Sequence, residues 1–159
     1  MPATQHTIDG KNFTATEIGS FEGLDAYSFT HELLPIAMEG KVFLKSILGL
    51  TSAEISFNKL PPNASMPFHH KHQRNEEIYL FIQGNGEFMI DDTIVPVSEG
   101  TVIRVAPEGV RCWRNVSTEP LYYVVIQAAE GSYGAGSNIE DGLAVKIPVV
   151  WPSGSSGAA

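Results

Sequence analysis

Three of the five histidines in this chain, His69, His70 and His72, fall within four positions, and the carboxylates Glu76 and Glu77 follow closely. A β-strand advances about 3.3 Å per residue and sends alternate side chains to one face. On a strand, His70 and His72 therefore project to the same side, roughly 7 Å apart at the backbone, and both can reach one ion at bonds of about 2.0–2.1 Å. His69 and Lys71 face the other way. The polar run Gln73-Arg74-Asn75-Glu76 reads as a turn, and Glu77 opens the next strand with Tyr79 and Phe81 on its face. Glu76, the rival carboxylate, shares the opposite face with Ile78, Leu80 and Ile82. Two imidazoles and one carboxylate on one side of a divalent ion leave its other positions open. That donor set suits Fe(II) and also accepts Mn, Ni, Co or Zn.

Such a site needs strands to position it, and the surrounding chain supplies them. SAEISFNKL alternates, with Ile55 and Phe57 on one face and Glu54, Ser56 and Asn58 on the other, the period of a half-buried strand. EIYLFIQ runs to the turn signal Gly84-Asn85-Gly86, and GEFMI runs to a hairpin tip at Asp91-Asp92. TIVPVSEG, TVIRVAP, VRCWRNVS and LYYVVIQA follow, separated by turn residues. Six or seven strands at intervals of about eight to twelve residues are the rhythm of a sandwich or barrel. No long helical pattern interrupts them, which excludes a βαβ architecture.

The ends read differently. Residues 1–51 form an N-terminal arm whose GKVFLKSILGL stretch suits a short helix or a strand, packing on a barrel core at 52–130. Residues 131–152 carry one further strand-like piece, LAVKIPVVW, and 153–159 read as a flexible tail.

Composition narrows the function classes. The 159 residues are 43% hydrophobic, enough for one globular domain. A net charge of −8 argues against a nucleic-acid partner, which would call for a basic face. The single cysteine, Cys112, permits no intrachain disulfide, and no apolar run reaches bilayer length. Without a secretory pattern at the N-terminus, the expectation is a cytoplasmic protein that meets neither membrane nor nucleic acid.

His70-Lys71-His72, then Glu77, then Gly84 resembles the first motif of the cupins: His-x-His, a short spacer, Glu, six residues, Gly. Gly100, Pro107, Gly109 and Asn115 resemble the second motif, whose histidine is missing; no histidine follows His72. The resemblance covers about residues 52–128. It implies an all-β, cupin-type double-stranded β-barrel (jelly roll) with an N-terminal extension, one divalent transition metal (Fe, Mn, Ni or Zn) on His70, His72 and Glu77, and a homodimer. If the chain is an enzyme, the resemblance implies metal-dependent dioxygenase or isomerase chemistry; a non-catalytic small-molecule or metal-binding module and a metal-free structural barrel are the alternatives.

Two residues compete for the vacant histidine place. Counting forward from Pro107 selects Cys112, a soft thiolate and alternative fourth ligand. Counting back from Asn115 selects Arg111, which stays protonated and would instead hold an anion. In cupins an aromatic often sits two residues after this histidine on the same face, and Trp113 is two after Arg111, so phase favours Arg111 inward and Cys112 outward. Tyr79, Phe81, Trp113 and Gln127 join Arg111 as candidates to contact a small-molecule ligand, and His31 is a remote candidate to close the site.

Overall fold

The computed structural model describes residues 7–134 and 140–151. The chain opens on a hairpin of β1 (Thr7–Gly10) and β2 (Phe13–Thr16). A 3-10 turn, Phe21–Ala26, leads to a two-residue pairing of β3 (Ser28–Phe29) with β4 (Met38–Glu39). The ambiguous stretch GKVFLKSILGL divides into both alternatives: β5 (Lys41–Phe43), then one helical turn, α1 (Lys45–Leu48). Gly49 ends that turn in the left-handed region at φ 67°, where a residue without Cβ is least strained.

Seven longer segments follow as strands where alternation places them. They are β6 (Glu54–Leu60), β7 (Asn75–Gln83), β8 (Asn85–Ile90), β9 (Thr93–Ser98), β10 (Val102–Val105), β11 (Arg111–Asn115) and β12 (Leu121–Ala129). One antiparallel sheet runs β10-β7-β12-β6-β5 and a second runs β11-β8-β9. Single pairings of Ser65 with Arg114 and of His70 with Arg111 lay the intervening chain along the free edge of β11. The inner faces of the two sheets meet in one core, with Phe81, Phe88, Trp113, Leu121 and Tyr123 at its centre. This is the all-β jelly roll that the cupin resemblance implies.

Gly84 makes the β7–β8 turn at φ 96°, and a Cβ there would lie 2.4 Å from the Pro120 carbonyl oxygen. Only glycine allows both the conformation and the close approach.

β6 holds a surprise of orientation. Its polar residues Ser56 and Asn58 point into the barrel, each 2% exposed. Ile55 and Phe57 point outward and pack with Leu24, Val42, Leu44 and Tyr122 beneath the N-terminal segment. The strand is thus covered on both faces, and the N-terminal arm is a second hydrophobic layer.

The C-terminal reading is corrected. Residues 140–151 form no strand, and Leu143, Val145, Ile147 and Trp151 are exposed. Alternation alone does not make a strand; the backbone needs a neighbouring edge to bond, and this segment lies on none of the sheet edges described. The tail expected at 153–159 lies outside the described residues. No helix among the described residues is long and apolar enough to cross a membrane.

Candidate metal centre

His70 and Arg111 exchange backbone hydrogen bonds, each N–H donating to the other's carbonyl at 3.1 and 3.0 Å. The N–H of His72 donates to the Pro107 carbonyl at 3.0 Å. These anchors keep the segment extended beside β11 without making it a regular strand. Both imidazoles therefore turn to one side, their ring centroids 5.6 Å apart. Glu77, on β7, faces them from within the barrel at 3% exposure. One ligand atom from each of His70, His72 and Glu77 falls within 4.8 Å of the others.

The carboxylate is oriented by its neighbours. Oε2 accepts from Arg111 Nη2 at 2.6 Å and Nε at 3.1 Å, and from the Tyr79 hydroxyl. Oε1 is turned toward His72, 3.0 Å from Nε2. Burial pushes the Glu77 carboxyl up, but the His70 and His72 rings, the Tyr79 hydroxyl and Arg111 outweigh it and hold the group well below the usual carboxylate range. Burial and the facing Glu77 charge push the Tyr79 hydroxyl far above its ordinary value, so it remains a proton donor to Oε2.

The donor set fits a divalent transition metal. His70 Nδ1 is buried with no hydrogen-bond partner, a costly condition that a metal ion would relieve, and His72 Nε2 lies against Glu77 Oε1 as a second nitrogen donor. Oε1 is free of the Arg111 and Tyr79 donors that occupy Oε2. Arg111 acts in the opposite direction, since a fixed cation beside the site raises the cost of binding another.

A cavity of about 400 Å³ opens over this cluster. Tyr79, Trp113 and Gln127 line it with the trio. Gln127 on β12 stands directly opposite Glu77 in register. Trp113 donates from Nε1 to the Tyr123 hydroxyl at 3.0 Å and stacks on Phe88.

Other candidates lie elsewhere. Phe81 shares the face of Glu77 and Tyr79 but sits deeper, 2% exposed against Phe88 and Tyr123, and is core rather than cavity wall. Arg111 is fully buried; its third nitrogen, Nη1, donates to the Gly109 carbonyl at 2.9 Å, so its guanidinium serves the protein rather than a ligand. Cys112 points outward, Sγ 3.4 Å from the Met66 carbonyl oxygen, into a separate recess on the other side of β11. Burial pushes its thiol up, and it is not placed to be a fourth ligand. Glu76 pairs on the outer face with Arg104 Nε at 2.6 Å. His31 is exposed, its Nδ1 accepting from the Leu33 N–H at 3.1 Å, and does not line the cavity.

Sequence reasoning missed Lys41 and the roof made by Phe29, Leu34 and Met38, all of which line the cavity. Nothing in the local pattern marks them, because their relation to the trio is made entirely by packing of the N-terminal segment.

The family model of the cupin domain matches residues 57–127. A cupin protein from Bacteroides fragilis is 35% identical, covering 74% of this chain and 98% of its own, with a TM-score of 0.63. A double-stranded β-helix protein from Klebsiella pneumoniae (17% identical, 70% of this chain and 90% of that one, TM-score 0.52) shares the fold. So does a sugar phosphate isomerase of the cupin superfamily from Silicibacter pomeroyi (19% identical, 55% and 57%, TM-score 0.51). Comparison with curated proteins finds no match. The barrel, the complete first motif and the similarity to the Bacteroides protein together show that this chain belongs to the cupin family.

Proposed function

We propose that this cupin holds one divalent transition metal, Fe, Mn, Ni or Zn, through His70, His72 and Glu77, and takes a small polar or anionic molecule in the adjoining cavity. The observation that carries the reading is the convergence of His70, His72 and the buried Glu77 carboxylate, one ligand atom of each lying within 4.8 Å of the others. When bound, the ion supplies a Lewis-acid or redox centre with open positions. Arg111 and Tyr79 hold Oε2 so that Oε1 faces His72, and Trp113, Phe29, Leu34 and Met38 give the adjoining cavity an apolar lining. Tyr79 donates to Glu77 and Glu76 lies outside the barrel, so neither exchanges a proton with a molecule in the cavity. Ligand binding is the first activity to test.

Metal analysis of the purified protein, with His70→Ala and Glu77→Ala beside it, tests the reading. Stoichiometric metal in the wild type and its loss in both variants supports it; equal, trace metal in all three overturns it. The second result would favour a metal-free barrel, a reading supported by the Arg111–Glu77 pair, which already neutralises the carboxylate.

We also propose that two copies associate through the outer face of β7 and β10, where Ile82 is 39% and Val102 61% exposed. A single-chain mass for the wild type in light scattering, or a dimer that survives Val102→Glu, would refute this.

A further inference from the structure

The cavity contains a cation without a counter-charge. Lys41 lies on β5, where Val42 faces the outer hydrophobic layer and Lys41 and Phe43 face the cavity. Its Nζ donates to Asn58 Oδ1 at 2.6 Å and Ser56 Oγ at 3.2 Å, and lies 4.6 Å from the centre of the Phe43 ring. Asn58 is itself held by Ser56 and by the Tyr123 carbonyl, so the acceptors are fixed. An ammonium has three N–H donors, and two acceptors leave one unassigned.

The other charges of this cavity are matched. Arg111 is spent on Glu77, and Lys71 pairs with Glu108 at 2.8 Å. Among the described residues, no carboxylate stands within ion-pair distance of Lys41. Burial pushes its amine down to about 8, with Glu77 and Glu54 only partly restoring it. Lys41 is half-buried, and an ammonium drawn out of water costs free energy unless an anion meets it. The walls around it, Phe29, Leu34, Met38, Phe43 and Val125, are apolar.

We propose that Lys41, held by Ser56 and Asn58, anchors the carboxylate of a monoanionic ligand whose apolar body packs against this wall. One amine, without an arginine fork, matches a single negative charge better than a phosphate. The proposal deepens the reading that this cavity is the ligand site, and it does not require the metal.

Calorimetric titration of the purified protein with benzoate and with its neutral isostere benzamide tests it. Lys41→Gln keeps a partner for Ser56 and Asn58 while removing the charge, and Lys41→Arg restores the charge. The wild type should bind benzoate about tenfold or more tightly than benzamide, as expected for a charge-assisted hydrogen bond. Lys41→Gln should abolish the preference and Lys41→Arg should recover it. A His70→Ala/His72→Ala variant separates the two readings, because benzoate can also ligate a metal. If that variant keeps the preference, the amine is the anchor whether or not the wild type carries metal. If it loses the preference, the anion binds the metal trio and the proposal is overturned. Absence of benzoate binding by the wild type, equal binding of both probes, or an unchanged preference in Lys41→Gln also overturns it.

Discussion

Arg111 grips one oxygen of Glu77 and leaves the other: its Nη2 and Nε lie 2.6 and 3.1 Å from Oε2, while Oε1 is turned to His72. Arg111, one of the two candidates for the histidine place of the second cupin motif, thus faces inward and supports a member of the candidate trio. Its charge neutralises Glu77 when no metal is bound and opposes a metal when one arrives. The two roles give separate predictions.

Removing the guanidinium strands a buried carboxylate. Arg111→Ala should lose roughly 3–5 kcal/mol of stability in chelator-treated protein, the usual cost of breaking a buried pair. Saturating zinc should recover part of it, since the ion offers Glu77 another partner. Urea denaturation with and without zinc measures both; an identical loss in the two conditions would show that Glu77 does not serve a metal.

Arg111→His replaces the cation by the imidazole that the second cupin motif lacks. Metal affinity should rise tenfold or more, on the order of 1.4 kcal/mol or greater. Competition against a chromophoric chelator reads this directly. Weaker binding than wild type would mean that orientation of Glu77 by Arg111 outweighs its repulsion of the ion.

Lys41 makes stability depend on alkaline pH. Its amine titrates at about 8 in the fold against 10.5 in the unfolded chain. Below about 8 both states are protonated and the buried charge exerts its full cost. Between about 8 and 10.5 the unfolded chain binds more protons, so stability rises with pH. Relative to Lys41→Met, the wild type should gain about 3 kcal/mol across that window, at about 1.4 kcal/mol per pH unit. Denaturation of both proteins at the two ends of the window measures the difference; parallel curves would refute the buried charge.

Two glycines with similar backbones should differ in cost. Gly84 has φ 96° and the Pro120 oxygen 2.4 Å from a would-be Cβ; Gly100 has φ 83° and nothing within 4 Å. Gly100→Ala should lose only about 1–2 kcal/mol for the left-handed conformation. Gly84→Ala should lose distinctly more, because the turn must also open. Thermal melts of the two variants side by side decide it, and equal losses would show that the β7–β8 turn yields without cost.

Much of the site could be read from the chain because it is local. The spacing of His70, His72 and Glu77 and the alternation of β6 to β12 depend on the two-residue strand period, which holds before any tertiary contact forms. The same phase turns Glu76 outward to Arg104 and Trp113 inward with Arg111. Gly84 was legible for the same reason: a tight turn makes its demand on the residue itself.

Periodicity states that two faces exist and not which one meets the interior. In β6 the polar face, Ser56 and Asn58, turned inward because the N-terminal segment covers Ile55 and Phe57 from outside. That layering also carried Lys41 into the cavity and roofed it with Phe29, Leu34 and Met38. Residues 140–151 show the converse, an alternating pattern with no sheet edge to bond. By itself, the sequence determined the barrel strands and the candidate metal trio, through short-range geometry. The tertiary structure alone decided that Arg111 pairs with Glu77 and that Lys41 reaches the cavity beside Ser56 and Asn58, because charge pairing and burial arise between segments far apart in the chain.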